Sequence, residues 1–395
     1  MSSTNVRRPE LDVFRGFAIF GIFFVNITIM HSVMLFQDGY LAQFTDPLSE
    51  FAKRTLQLFF YNKFFPIFSF LFGLGLSMQM RAKMNKSQPY VAFFVRRMLL
   101  LFIVGMIHVG FLWSGDVLHL YAILGILCIV VIQLPIKWLL VASILLLTFP
   151  FYDNMLIAFS GLFDGGPEHA MVKLGSEGVA DIVKQGTLVD IIQLHVTDYV
   201  ASLPMVLFYL APMALSMFLL GICVGKSHDA FGSEQWVISF KRVALWVFIA
   251  TTVYRITFLW VLPEFPIYRN EILRPLWFKL MFLSDIAFGL WYLWLMAWLW
   301  HFTRVKRLLV MFEAVGRMAL TNYLLQSMIG LVLFTSVGFS LYESLSPITC
   351  LVIAFASFIL QSIFSRLWLS HFQYGPFEWL WRCGSYMRWY PLKRH

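Results

Sequence analysis

The stretch GMIHVGFLWSGDVLHL, residues 105–120, sets two histidines and an aspartate between continuous apolar runs. Imidazole titrates near neutral pH, so a histidine inside an apolar segment is a candidate general base. His108 holds that position. Asp116, which follows the turn WSG, is the acidic group that could orient it. Asp116 also precedes the helical pattern VLHLYAILG, where an aspartate serves as a helix N-cap. His119, one turn further on, suits the outer interface equally well. Eight residues separate His108 from Asp116, roughly 12 Å of helix at 1.5 Å per residue. Contact between them therefore requires the WSG turn to fold back.

Other polar residues stand in apolar surroundings. Arg15 lies one turn into the first apolar run, and Asn26 follows 11 residues later, roughly 16 Å further along a helix. Lys63 opens the second run. Arg317 marks the inner edge of a later run, GRMALTNYLLQSMIG, in which Asn322 and Gln326 share a face at i, i+4 spacing. Arg255 and Asp285 need partners that their spacing does not name. Ionisable groups at membrane depth face the protein interior or a water-filled cavity. Arg15, Asn26, Lys63, His108, Asp116, Asn322 and Gln326 are therefore expected to line one connected cavity.

The elements that position these residues follow from composition. The 395 residues are 60% hydrophobic and 13% charged, with mean hydropathy +0.76. Soluble domains carry about 25% charged residues, and barrel strands alternate apolar and polar residues. Continuous apolar runs instead predict an all-α polytopic membrane bundle. Ten such runs fall near 13–34, 61–80, 98–114, 117–134, 137–152, 203–224, 241–262, 277–300, 317–338 and 347–368. In the first, the stretch FAIFGIFFVNITIM follows Arg7, Arg8 and Arg15 but has no cleavage site close behind, and reads as an uncleaved helix.

The net charge of +9 is explained by topology rather than nucleic-acid binding. Arg7, Arg8, Arg81, Lys83, Lys86, Arg96, Arg97, Lys226, Lys241, Arg242, Arg304, Lys306, Arg307, Arg382, Arg388, Lys393 and Arg394 fall in one set of loops. Asp38, Asp46, Glu50, Asp153, Asp164, Glu168, Glu177, Asp181, Asp190 and Asp198 fall in the alternate set. Basic loops stay in the cytoplasm, which places both termini inside. The whole chain, 1–395, reads as one transmembrane domain. Residues 153–202 form an extracytoplasmic loop with short amphipathic helices. Residues 369–395, rich in Trp and Arg, form a cytoplasmic interfacial tail. Pro66 and Pro212 mark interrupted spans. The four cysteines suggest no disulfide framework, the histidines are too scattered for a metal site, and no phosphate-binding loop or soluble-hydrolase motif is present.

The segments LDVFRGFAIFGIFFVNI, KFFPIFSFLFGLG, RRMLLLFIVGMIHVGFLWSGDVLHLYAILG, GRMALTNYLLQS and GPFEWLWR together resemble the YeiB-like bacterial inner-membrane family, the domain-of-unknown-function 418 family. The first segment is also similar to transmembrane acyltransferases, which carry acyl groups from cytoplasmic acyl-coenzyme A to an acceptor across the membrane. That resemblance implies a multi-pass protein of the bacterial inner membrane and places Arg15 in the coenzyme-side half. It also implies an extracytoplasmic hydroxyl or amine acceptor, a glycan or other small molecule. The acyltransferase-3 pattern has a histidine where this chain has Asn26, so the base is sought elsewhere, at His108 first and His31 second. In this reading His108 takes the acceptor proton, Asp116 orients it, and Lys63 or Asn26 stabilises the oxyanion. Arg15, Arg317, Asn322 and Gln326 form the inner part of the route. The alternative is a small-molecule transporter or exporter using the same polar residues.

Overall fold

Lipid offers no hydrogen bonds, so apolar runs satisfy their backbone as helices. The computed structural model describes residues 8–84, 90–161, 166–227 and 230–394, and these are helical nearly throughout. Arg7, Lys86 and Asp164 of the loop-charge pattern lie outside the described residues, as does the last residue of the tail.

Helix α1 spans Pro9–His31, α2 Pro47–Phe59, α3 Phe64–Met84, α4 Val91–Phe111 and α5 Leu118–Val131. Then come α6 Ile136–Thr148, α7 Tyr152–Gly161, α8 Pro167–Gln185, α9 Leu188–Ala201 and α10 Ala211–Ser227. The chain continues with α11 Glu234–Ile256, α12 Arg274–Phe302, α13 Lys306–Arg317, α14 Ala319–Phe334, α15 Pro347–His371 and α16 Pro376–Tyr386.

Among the described residues, seven helical segments are long and apolar enough to cross a membrane, or nine if each of two bent pairs is one crossing. The bent pairs are α6–α7, at 64°, and α13–α14, at 85°. The fourth apolar run became α5, whose 14 residues reach only about 21 Å, short of a hydrocarbon core near 30 Å. The ten runs therefore resolve into seven long segments, two bent pairs and one short helix. Broad apolar side chains face outward, among them Trp246, Ile144, Leu360 and Leu367, each more than half exposed. A soluble protein does not leave so much apolar surface uncovered; lipid covers it here.

Small residues set the tightest packing. A Cβ at Gly73 of α3 would lie 2.2 Å from the Phe218 carbonyl oxygen of α10, and one at Gly221 would lie 2.2 Å from that of Phe70. Gly16 of α1 and Gly316 of α13 meet the same way, against the carbonyls of Phe312 and Asp12. The prolines stand at interruptions, as expected. Pro66 lies in the first turn of α3, after the break at 60–63 that follows α2, where its missing N–H is no loss. Pro212 lies inside the continuous helical segment Leu203–Ser227, directly after a π-helical stretch at Val206–Leu210.

At one end α8 and α9 cover the bundle. Ser336 N–H donates to the Val183 carbonyl at 2.8 Å, and Ser114 Oγ to Asp198 Oδ2 at 2.5 Å. At the opposite end lie the start of α1, the start of α4, α13 and the tail helix α16. Trp381 Nε1 donates to the Arg97 carbonyl at 2.9 Å, and Arg96 Nε to the Ser385 carbonyl at 2.8 Å. The basic end therefore carries both termini of the described chain.

Candidate functional site

Asp116 reaches His108 because the WSG turn folds inward and α5 starts deep in the bundle. Gly105 makes this possible: a Cβ there would lie 2.4 Å from His119 N and 2.9 Å from Asp116 Oδ2. Asp116 Oδ2 accepts the backbone N–H groups of Leu118 (2.8 Å) and His119 (3.2 Å), satisfying the first turn of α5. His119 Nδ1 lies 3.0 Å from the same oxygen. Asp116 Oδ1 accepts the Tyr323 hydroxyl at 3.2 Å and lies 3.4 Å from His108 Nδ1. That last distance is longer than a formed hydrogen bond.

On its far side, His108 Nε2 shares a 2.7 Å hydrogen bond with Ser327 Oγ of α14. His108 and Ser327 are each 1% exposed and Asp116 3%. The carboxylate beside Nδ1 favours the imidazole tautomer with hydrogen on Nδ1, so that Nε2 accepts from Ser327. The cluster continues outward through His119 Nε2, 2.9 Å from the Tyr199 hydroxyl on α9. On that outer helix burial lowers the His195 pKa and raises that of the Asp198 carboxyl.

A cavity of about 380 Å³ opens at the basic end, within the size range of small-molecule sites. Arg15, Arg97, Arg317 and Arg382 line it, with Asp12 and Glu378. Both carboxylates already have partners. Asp12 holds Arg15 at 3.0 Å, and Glu378 accepts the Thr321 N–H at 2.9 Å and its hydroxyl at 2.5 Å. Four guanidinium groups against two carboxyl groups leave the rim positive. Further in, the walls turn apolar, with Phe72, Leu101, Leu118 and Tyr121, and Tyr323 also lines the cavity. Tyr323 stacks on the His108 ring at 5.3 Å between centroids.

The family model "Protein of unknown function (DUF418)" matches residues 227–388. The chain is similar to the uncharacterized protein YxaH of Bacillus subtilis, 33% identical over 416 residues that cover 99% of this chain and 97% of that protein. It is also similar to uncharacterized protein YeiB of Escherichia coli, 26% identical over 401 residues that cover 95% of each. The chain belongs to the YeiB-like DUF418 family. A 39.9 kDa protein encoded in the amylase 3' region of Bacillus acidopullulyticus is a further relative, 26% identical over 98% of this chain and 96% of that protein. No solved structure matches.

This DUF418 chain does not gather its buried polar residues into one cavity. Of the residues expected there, Arg15 lines it, together with the inner-edge Arg317. Lys63 is fully buried and pairs with Asp285 at 2.7 Å, with Arg255 Nε 3.6 Å from the same carboxylate oxygen. Arg255 also stacks on Phe288, 3.9 Å from the ring centroid. An ammonium committed to a buried carboxylate is not the oxyanion donor expected beside His108. Asn322 and Gln326 instead join helices. Asn322 Nδ2 donates to Ser365 Oγ at 3.0 Å, and Gln326 Nε2 to Gln361 Oε1 at 3.1 Å and to the Ile19 carbonyl at 3.3 Å. Asn26 is half-buried and joins none of these clusters. His31 is fully buried, with Nε2 accepting the Leu345 N–H at 3.0 Å. It packs the outer end beside Tyr40 and Phe334.

Three groups of site residues went unseen in the sequence. Ser327 and Tyr323 stand at i, i+4 spacing, a second polar face on the helix of Asn322 and Gln326. Arg97 lies at the start of a span, where positive charge reads as topology. Glu378 and Arg382 lie in the tail, expected to rest on lipid; instead they form part of the cavity wall. Burial there raises the Glu378 carboxyl pKa.

Proposed function

We propose that this chain is a bacterial inner-membrane acyltransferase that takes an acyl group from cytoplasmic acyl-coenzyme A and passes it to an extracytoplasmic hydroxyl or amine. The observation that carries this reading is Tyr323, which both lines the arginine-rimmed cavity and bonds the carboxylate beside His108. A donor with phosphates at one end and a thioester at the other suits such a cavity. Guanidinium groups bind phosphate through charged, paired hydrogen bonds. The apolar walls suit an uncharged arm, which carries the thioester towards Tyr323.

Chemistry at that point needs a base and a group that orients it. His108 supplies the base and Asp116 stabilises the imidazolium that forms. Once its ring turns away from Asp116, the Tyr323 hydroxyl, rather than Lys63 or Asn26, would be free to donate to the developing oxyanion. The outer helix α9 covers the far side through Tyr199, where a glycan or other small acceptor would approach.

A second reading, transport of a small molecule, is favoured by one observation. The α13–α14 helix is broken by 85° beside the cavity, and discontinuous helices are common at transporter sites. One experiment separates the two. Purified protein in liposomes receives labelled acetyl-coenzyme A outside and a panel of sugars and amines inside. Acetylated acceptor in the lumen supports the enzyme. Movement of unmodified solute without acetylation supports transport and sinks the acyltransferase.

A further inference from the structure

The geometry points to Ser327 as a nucleophile that carries the acyl group as an ester before the acceptor receives it. This inference rests on the acyltransferase reading and adds a covalent intermediate to it. Ser327 Oγ, His108 Nε2, His108 Nδ1 and Asp116 Oδ1 follow one another at 2.7 Å and 3.4 Å across the ring. A nucleophile in hydrogen-bond reach of a base, itself oriented by a third group, is the arrangement that activates a serine. Such bonds are often long before substrate binds and tighten as charge develops.

The serine's own bonding supports a chemical role. Hydroxyls on buried helices commonly bond back to the carbonyl four residues earlier. Ser69 does so with Phe65 at 2.8 Å, Thr251 with Val247 at 2.6 Å and Ser385 with Trp381 at 2.6 Å. Ser327 turns instead to His108. Asp116, fixed by two backbone N–H groups and by Tyr323, is a positioning residue in this scheme. Tyr323 lines the cavity and stacks on His108, while Ser327 does not line it, so the Tyr323 ring must turn aside for the thioester to reach Ser327.

The two steps balance. Ser327 Oγ attacks the thioester carbonyl, the Oγ–C bond forms and the C–S bond breaks. The hydroxyl proton passes through His108 Nε2 to the departing coenzyme A thiolate. The acceptor hydroxyl or amine then attacks the ester, its proton passes to His108, and the C–Oγ bond breaks as Ser327 recovers that proton.

The test uses the full chain in nanodiscs with labelled acetyl-coenzyme A and no acceptor, followed by mass mapping of residues 319–334. An acetyl group on Ser327 is expected, and Ser327→Ala should lower transfer by at least ~10²-fold. Ser327→Cys should hold the acetyl as a thioester that neutral hydroxylamine releases. Full transfer by Ser327→Ala, or transfer with no adduct on the wild type or on Ser327→Cys, overturns the inference and leaves the acyltransferase standing. If no donor supports transfer, diisopropyl fluorophosphate supplies the second arm. Phosphorylation of Ser327 that disappears in His108→Gln upholds the activated serine while the acyl-coenzyme A reading falls. Absence of both acetylation and phosphorylation overturns the nucleophile.

Discussion

Tyr323 donates its hydroxyl to Asp116 across 3.2 Å. That bond ties the wall of the arginine-rimmed cavity to the carboxylate beside His108. One ring therefore touches both the space that would hold an anionic donor and the groups that would act on it. Movement of Tyr323 would open the cavity towards Ser327 and release Asp116 towards His108 in one motion.

Gly105→Ala tests how Asp116 is delivered. A methyl there would lie 2.4 Å from the His119 backbone nitrogen, so α5 must move outward and carry Asp116 away from His108. Acyl transfer should fall by at least ~10²-fold, the scale for disabling a general base, with membrane insertion retained. Gly110→Ala on the same helix is the control, since an added carbon there meets nothing within 4 Å. Equal activity in the two variants would remove the significance given to Gly105.

Lys63, Arg255 and Asp285 make two buried cations on one carboxylate. Asp285→Asn leaves both cations unneutralised, while Lys63→Met still leaves Asp285 with Arg255. Removing one partner of a buried pair costs about 3–5 kcal/mol. Thermal unfolding in detergent should therefore show Asp285→Asn as the more damaging change, with the double variant Lys63→Met/Asp285→Leu less so than Asp285→Asn alone. The reverse order would show that the carboxylate is not the keystone of this cluster.

Arg382 tests the rim. A hydrogen bond to a charged group contributes about 1.5–3 kcal/mol, so Arg382→Gln should raise KM for acetyl-coenzyme A by roughly 10- to 100-fold. Little change in kcat is expected, because the guanidinium meets the donor far from the reacting carbonyl. A fall in kcat at constant KM would place Arg382 in another role.

Glu378 makes the tail respond to pH. Its partly buried carboxyl has a pKa raised above its ordinary 4.5 by burial, so the docked tail holds the proton more tightly than the free tail. Docking is then strongest below pH 4.5 and weakens as pH rises through the raised value. Protection factors of residues 376–386, corrected for the intrinsic pH dependence of amide exchange, should fall over that rise in the wild type and stay level in Glu378→Gln. Equal pH dependence in both would assign the effect elsewhere.

Membrane helices and loop charges are legible because lipid imposes length and apolarity on every crossing. Helix breaks are harder to read. Arg317 and Ala319 belong to one apolar pattern in sequence, yet the chain turns by 85° between them. Depth was readable for His108, and its relation to Asp116 depended on whether one turn folded back. Azimuth was not readable: Lys63, Asn322 and His108 have similar surroundings in sequence, yet three different helix neighbours satisfy them. The tail hid its part for the opposite reason. Arg and Trp at an interface look alike whether they face lipid or, as Trp381 does, stack under a guanidinium at 3.5 Å.

His108→Gln tests most directly whether His108 is the base that moves the proton. An amide can keep one hydrogen bond to Ser327 but cannot accept and return a proton near neutral pH. Transfer of labelled acetyl from acetyl-coenzyme A to a lumenal acceptor should be measured in liposomes with wild type and variant at matched protein levels. A fall of at least ~10²-fold in kcat is expected with donor KM held nearly constant, because the arginine rim is untouched. Wild-type turnover in His108→Gln would contradict that role.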